Sequence, residues 1–182
     1  MGEGTYAEGN ENMTATHTTI DSPIGELTLV ATDEVLSGIY FPGHWHMPAA
    51  EVFGARSKRG FEQAQRQLSE YFAGERTEFE LATAVVGEEF QRRVWGLIDR
   101  IPFGETTTYG EMARELGDPA LAREVGAAVG RNPLSIVVPC HRVVGKDGKL
   151  TGYAGGLERK RFLLELEGAG AHVEAEQLQL AG

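Results

Sequence analysis

The spacing of apolar residues in this 182-residue chain changes near Gly87, and this change restricts the fold more than any other feature. Before Gly87 the apolar residues form short, β-rich runs broken by turn residues. After Gly87 they recur every three or four residues, which is typical of amphipathic helices. The sequence therefore predicts an α+β protein: a small N-terminal antiparallel β-sheet domain with one helix, then a mainly α-helical C-terminal domain.

The N-terminal half contains the predicted strands. Strands are expected at residues 18–20, 27–31 and 36–40, because turn residues separate these three runs. The rest of this half is predicted to contain a loop at 42–60, a helix at 61–72 that ends before Gly74, and a last short strand at 79–86.

The C-terminal half is predicted to contain four helices. The first lies near residues 90–98, the second follows a cap at Thr108, and the third spans 120–129 after a tight turn. The second and third would form a helix-turn-helix, although a plain helical hairpin in the core fits the pattern equally well. Residues 157–167 predict a closing helix with Leu163, Leu164 and Leu166 inward and Arg159, Lys160 and Arg161 outward.

Domain boundaries follow from these elements. We expect a disordered leader at 1–16, domains at 17–87 and 88–167, and a tail at 168–182. The leader has no lysine, arginine or apolar run, so it is not expected to be a secretory signal or a transit peptide. No stretch approaches the roughly 18 consecutive apolar residues of a membrane-spanning helix. We expect a cytoplasmic protein.

The charge of the chain is unevenly distributed. The formal net charge of −10 argues against a nucleic-acid partner, because Lys and Arg supply most of the affinity for phosphates. However, residues 1–87 carry −8 and residues 88–167 carry 0. Any contact with DNA is therefore expected in the C-terminal domain.

The chain has a single cysteine, Cys140. One cysteine forms no internal disulfide and no multi-cysteine zinc site, so it is either a small buried residue or a reactive thiol. A run that is predicted to be a buried β-strand ends at Pro139 and is followed at once by Cys140, His141 and Arg142. Two ionisable residues directly after the cysteine favour the reactive thiol, because they are costly to bury without partners. A free thiol needs a neighbouring base or cation to become a nucleophile, and His141 is the obvious partner.

The motif Pro-Cys-His-Arg-Val at 139–143 resembles the active-site signature of the O6-methylguanine-DNA methyltransferase family. Further stretches resemble the family in the same order along the chain: Phe-Gln-Arg-Arg-Val-Trp at 90–95, Ile-Pro-Phe-Gly-Glu-Thr-Thr-Thr-Tyr at 101–109, Ala-Arg-Glu-Val-Gly at 122–126, Arg-Asn-Pro at 131–133 and Thr-Gly-Tyr-Ala-Gly-Gly at 151–156. Residues 21–29 are similar to the small β-rich domain of bacterial members.

The resemblance implies irreversible transfer of an alkyl group from O6-alkylguanine in DNA to Cys140, one transfer per molecule. His141 would accept the thiol proton through a water, and Glu167 would orient His141. A carboxylate behind an imidazole fixes its tautomer and stabilises the imidazolium, so this arrangement is chemically reasonable. Asn132 would brace the turn before the cysteine, and Tyr153 would donate a hydrogen bond to the base. No metal and no organic cofactor is implied.

The resemblance also implies how DNA is bound. The target nucleotide must leave the stacked duplex before it can react. Arg123 would fill the gap, and Tyr109 would rotate the target phosphate. The second helix of the helix-turn-helix, at 120–129, would enter the minor groove of double-stranded DNA, with the protein acting as a monomer. The resemblance further implies that Arg131 and Arg142 contact DNA. The walls of the substrate pocket would be Pro139, Val143, Ala154 and Gly155.

The chain departs from the family pattern at three places. Gly87-Glu-Glu-Phe90 replaces Gly-Thr-Pro-Phe at a helix start. Glu124 stands beside Arg123 where a small residue is usual, and it should weaken DNA affinity. Ala154 keeps the pocket wall small, which suggests tolerance of larger alkyl groups or of O4-alkylthymine.

Two other functions compete with DNA repair. A cysteine hydrolase could use Cys140 and His141, but adjacent residues of an extended chain point to opposite faces, and no oxyanion motif is visible. A non-enzymatic protein that binds alkyl lesions is the second alternative, and the presence of Cys140 argues against it.

Overall fold

The computed structural model describes residues 14–170. Its N-terminal part consists of strands β1 (Ala15–Ile20), β2 (Leu27–Thr32), β3 (Val35–Tyr40) and β4 (Ala55–Arg56), followed by helix α1 (Glu62–Phe72). The sheet order is β3-β2-β1-β4, with antiparallel pairing along β1–β2–β3 and parallel pairing of β4 to β1. Most of the predicted leader lies outside the described residues, but β1 begins two residues before the predicted domain start.

The C-terminal part is mainly helical. It contains α2 (Glu89–Asp99), β5 (Thr107–Thr108), α3 (Tyr109–Glu115), α4 (Ala122–Gly130), β6 (Val143–Val144) and α5 (Leu157–Leu166). Helix α4 packs against both α2 and α3, and β5 pairs with β6 in parallel. The predicted α+β architecture is confirmed. Within residues 14–170, none of the helices has the length and apolar character needed to cross a membrane.

Helices α2 and α3 begin at residues that form N-capping hydrogen bonds with residues three positions later. Thr108 accepts a hydrogen bond from the backbone of Glu111, whose carboxylate accepts one from the Thr108 backbone. Glu88 and Gln91 form the same reciprocal arrangement at the start of α2. The unusual Glu88 therefore still begins the helix. The turn before α4 is a short 3-10 segment, Pro119–Leu121, capped by Asp118.

The structure corrects three local predictions. The predicted loop at 42–60 contains β4. The predicted strand at 79–86 has no ladder and makes only an isolated bridge, Leu36 to Thr83. There the side-chain amide of Gln67 satisfies the backbone N–H and carbonyl of Glu80 at 2.8 and 3.1 Å, so a neighbouring strand is not needed.

The third correction concerns the apolar run at 134–138, which was expected to be a β run. It folds into turns, and Ile136 has φ of 74°. A β-branched residue rarely adopts this conformation, so the surrounding structure must impose it.

One apolar core extends through both parts of the protein. It joins sheet residues such as Leu29 and Ile39 to helix residues such as Val94 and Val125, and it includes Cys140. The backbone N–H of Ile39 also donates to the carbonyl of Pro133 at 2.8 Å. The N-terminal sheet therefore supports the turn that leads to the cysteine.

Candidate active site

Cys140 begins a short 3-10 turn, Cys140–Arg142, and its side chain is 3% exposed. Asn132 braces the segment before it: its Nδ2 donates to the Val138 carbonyl at 2.8 Å, and its Oδ1 accepts from the Leu134 N–H at 3.0 Å. Asn132 is itself buried, so both bonds are shielded from water. The thiol is thus held at a fixed place on a rigid, strained turn.

The Cys140 thiol is protonated in the resting protein. Burial raises its pKa, and this effect exceeds the opposing influence of Asn132, Lys160 and Tyr153, each of which favours the thiolate. A thiolate must therefore be generated by a base when a substrate is present.

His141, the next residue in the chain, is the candidate for that base. Its Nε2 lies 2.7 Å from Oε1 of Glu167. Since the carboxylate can only accept, Nε2 carries the proton and Nδ1 of the neutral ring is the free basic atom. Burial lowers the pKa of His141, although the hydrogen bond that it donates to Glu167 raises it. Nδ1 has no hydrogen-bond partner within the described residues, so it is available to take a proton.

Glu167 stands just after α5 and is the hub of a buried network. Besides His141, its two oxygens accept from Arg142 Nε and Nη2 at 2.8 and 2.9 Å and from the Tyr71 hydroxyl at 2.7 Å. Burial by itself would raise the pKa of this carboxyl, but the hydrogen bonds and charges of His141 and Arg142 lower it to about 2. Glu167 remains ionised throughout the physiological range.

This lowered pKa predicts acid sensitivity. Glutamate in an unfolded chain titrates near ~4.3, so the bonds to ionised Glu167 stabilise the fold fully above that pH and are lost as pH falls towards the folded value. A gap of roughly two pKa units corresponds to about 3 kcal/mol. We expect the difference in unfolding free energy between wild type and Glu167→Gln to shrink by about that amount between pH 5 and pH 2, as measured by urea unfolding. A difference that is constant over this range would contradict the assignment.

The position of Arg142 differs from the predicted contact with DNA. It was expected to contact DNA, but its side chain is buried, and its guanidinium donates to Glu167 and to the carbonyl of Ile101. The expectation of a DNA contact at this position is therefore wrong. The guanidinium neutralises the carboxylate that orients His141, which explains how that charge can be buried.

The position of Lys160 also differs from the prediction. It was expected to point outward, yet it is fully buried in α5, and its ammonium donates to the carbonyls of Val143, Thr151 and Gly152 at 2.6, 3.2 and 3.3 Å. Burial lowers its pKa to about 8, although Cys140 opposes this effect. Lys160 thus ties the turn after Cys140 to the loop before Tyr153. Its position three and four residues before inward Leu163 and Leu164 was the signal that could have placed it inside.

Tyr153 lies against the cysteine. Its buried hydroxyl has no partner within the described residues, and its pKa is raised well above the ordinary value by burial and by Cys140. It is therefore a permanent hydrogen-bond donor. Its ring lies 5.8 Å from that of Phe41, centroid to centroid.

The predicted wall residues Pro139, Val143, Ala154 and Gly155 are all buried around the same turn and loop. A Cβ atom at Gly155 would overlap the Phe41 ring, so this glycine permits the close approach of the N-terminal part. The loop at 153–155 is thus enclosed on one side by the N-terminal sheet.

The predicted DNA-contact residues other than Arg142 are on or near the surface. Arg123 and Arg131 are exposed near the two ends of α4, and Glu124 is exposed beside Arg123. Tyr109 is the first residue of α3, and its hydroxyl donates to the Thr151 carbonyl at 3.3 Å. Burial raises the pKa of Tyr109, and Cys140 adds a smaller contribution in the same direction. In residues 14–170 no cluster of three or more His, Cys, Asp or Glu could hold a metal ion.

Solved structures and curated sequences resemble this chain over most of its length. The structure of Mycobacterium tuberculosis OGT in complex with DNA superposes with a TM-score of 0.81 at 46% identity, covering 88% of this chain and 98% of that one. The methylated-DNA–protein-cysteine methyltransferase of Mycolicibacterium paratuberculosis is 52% identical over 149 residues, which is 82% of this chain and 90% of the relative. The protein of the same name from Methanosarcina acetivorans is 46% identical over 82% of this chain and 96% of its own length.

Both parts of the chain also match family descriptions. Residues 16–85 match the ribonuclease-like domain of 6-O-methylguanine DNA methyltransferase, and residues 89–169 match its DNA-binding domain. Together these matches cover well over half of the sequence. The buried cysteine, its histidine and its carboxylate thus lie in a chain that belongs to the 6-O-methylguanine DNA methyltransferase family.

Proposed function

We propose that this protein repairs DNA by moving the alkyl group of O6-alkylguanine irreversibly onto Cys140. The observation that carries the proposal is a buried cysteine followed directly by a buried, neutral imidazole that is hydrogen-bonded to the Glu167 carboxylate and free at Nδ1. This is the arrangement that thiol activation requires. The DNA complex of the similar M. tuberculosis protein supports DNA as the partner.

The proposed reaction is one displacement. His141 Nδ1 takes the thiol proton through a water, and the Cys140 sulfur then attacks the alkyl carbon. The bond from that carbon to O6 breaks, and its electron pair stays on guanine. Tyr153, which remains protonated, donates a hydrogen bond to the departing base as negative charge builds on it. The guanine anion takes up a proton at N1 from water, and His141 returns the thiol proton to water, so the products are a thioether and a repaired, neutral guanine. Because a thioether undergoes neither exchange nor hydrolysis, each molecule acts once.

DNA would be held by the helix-turn-helix. In this proposal α4 lies in the minor groove, Arg123 replaces the flipped nucleotide in the stack, Tyr109 turns the target phosphate, and Arg131 contacts the backbone. Both arginines are exposed, as such contacts require. We further propose that the protein acts as a cytoplasmic monomer with domains at 17–87 and 88–167.

The experiment that tests this function is intact-mass spectrometry of the protein after incubation with a duplex containing one O6-methylguanine. The expected result is a gain of one methylene group, saturating at one per molecule and mapping to the peptide that contains Cys140. Binding of the lesion duplex without any mass gain would favour a non-enzymatic lesion-binding protein. Turnover of an ester or amide would favour a hydrolase.

The small side chain of Ala154 leads to a prediction about the size of the alkyl group that the pocket accepts. It lies beside Tyr153 with no side-chain atom beyond Cβ, so the pocket wall should accept larger alkyl groups and O4-alkylthymine. We expect O6-butylguanine to react at most about 200-fold more slowly than O6-methylguanine, because extra apolar carbon in a pocket changes the barrier by only about 1–3 kcal/mol. Ala154→Leu should lose the butyl substrate selectively. Complete rejection of the butyl group by wild type would contradict this prediction.

A further inference from the structure

Tyr71 belongs to the N-terminal part of the protein but touches the active-site network. It lies on α1, is 1% exposed, and donates its hydroxyl to Oε1 of Glu167 at 2.7 Å across 96 residues of sequence. Its ring is held by the rings of Phe72, Phe79 and Phe103, with centroids 5.4, 5.4 and 6.3 Å away. The hydroxyl therefore has little freedom to leave the carboxylate.

The oxygen that Tyr71 contacts is the one that orients the catalytic histidine. Oε1 of Glu167 also accepts from His141 Nε2 at 2.7 Å and from Arg142 Nη2 at 2.9 Å. Three donors thus share one oxygen. Each donor withdraws charge from it and restricts its position. A phenol is neutral, so it fixes the oxygen without adding a second positive charge beside the imidazole.

We propose that Tyr71 is a positioning residue for alkyl transfer, which holds Oε1 of Glu167 against His141 and moderates the basicity of the imidazole. The inference rests on the proposed function of this site. It also gives the N-terminal part a direct role in the chemistry, since Tyr71 is its hydrogen-bond contact with the His141–Glu167 pair. The titratable and charged groups around that pair are Tyr71 on α1, Arg142 on the 3-10 turn and Lys160 on α5.

The direction of the effect follows from the sharing of Oε1. If the Tyr71 hydroxyl is removed, the carboxylate becomes a stronger acceptor for His141 and stabilises the imidazolium more. The pKa of His141 then rises, and the free base disappears at a higher pH. At the same time the carboxylate is less restrained, so the mean geometry for proton transfer is poorer.

The test is Tyr71→Phe, which removes only the hydroxyl. In single-turnover transfer from an O6-methylguanine duplex, we expect the rate near neutral pH to fall about tenfold, and the acid limb of the pH–rate profile to move to higher pH. Tyr40→Phe is the matched control, because Tyr40 is also a buried tyrosine of the N-terminal part but has no contact with Glu167. Its rate and profile should equal those of wild type.

A double-mutant comparison distinguishes a positioning role of Tyr71, exerted through Glu167, from a purely structural role. Tyr71→Phe added to Glu167→Gln should change the remaining rate by less than about twofold, since the hydroxyl acts through the carboxylate. The same tenfold loss in both backgrounds, or an unchanged rate and profile in Tyr71→Phe, would overturn the proposal.

A second readout does not depend on alkyl transfer. ¹⁵N NMR of the His141 ring reports its tautomer and titration directly. We expect Nε2 to be protonated in the neutral ring of both proteins and the titration midpoint to be higher in Tyr71→Phe. An identical midpoint would overturn the inference. If wild type accepts no methyl group but the midpoint still moves, the proposed function fails while the coupling of Tyr71 to His141 stands.

Discussion

We expect Cys140→Ser protein to gain no mass from O6-methylguanine DNA while it still binds the lesion duplex. The hydroxyl of serine is far less acidic and less nucleophilic than a thiol, and the neutral His141 imidazole is too weak a base to ionise it. Because Cys140 is the single cysteine of the chain, no other thiol can take over the reaction. Transfer should therefore fall below detection, not merely slow down.

The substitution exchanges one atom in a buried turn that Asn132 holds through backbone bonds, so the fold should be retained. Intact-mass spectrometry measures the transfer, and fluorescence anisotropy of a labelled lesion duplex measures the binding. Circular dichroism and thermal unfolding are the controls for folding. A mass gain by the serine protein would show that Cys140 is not the acceptor.

Glu167→Gln should have the second largest effect, on both rate and stability. The amide keeps the size of the side chain but loses its charge, so Arg142 becomes a buried cation without a partner anion. Breaking a buried pair in this way costs about 3–5 kcal/mol. Nε2 of His141 also loses its charged acceptor, so the ring can adopt the wrong tautomer. We expect single-turnover transfer to fall roughly 10²- to 10⁴-fold, as when a general base is lost.

Glu158→Gln is the matched control, because Glu158 is exposed on α5, the helix that Glu167 directly follows. It should lose neither rate nor stability. Urea unfolding at pH 7 and single-turnover kinetics together distinguish the two effects of Glu167→Gln. A stable protein with a normal rate would mean that Glu167 neither balances Arg142 nor orients His141.

The helices and the three main strands could be predicted because they depend on local information. Their apolar spacing and their caps, such as Thr108 with Glu111, lie within a few residues of each other. The short strand β4 and the extended segment at 79–86 could not be assigned correctly, because each depends on a distant partner: β1 for the former and Gln67 for the latter. Neither partner leaves a periodic signal in the segment itself.

The residues of the active site show the same distinction between local sequence information and dependence on distant partners. The motif around Cys140 predicted the nucleophile and its neighbouring histidine, and the resemblance to the family added Glu167, Asn132 and Tyr153. Two inward-pointing cations were missed. The charges of Arg142 and Lys160 favour a surface position on average, and their burial is possible only because one carboxylate and four carbonyls accept their hydrogen bonds.

By itself, then, the sequence determined the order of the elements, the division of charge between the two halves and the identity of the nucleophile, since each of these is written in neighbouring residues. Only the tertiary structure decided which charged side chains are buried, which tautomer His141 adopts, and that Tyr71 of the N-terminal part contacts Glu167. The physical reason is that a buried polar group is stable only with partners, and the fold brings together partners that are far apart in the chain, such as Tyr71 and Glu167, which are separated by 96 residues.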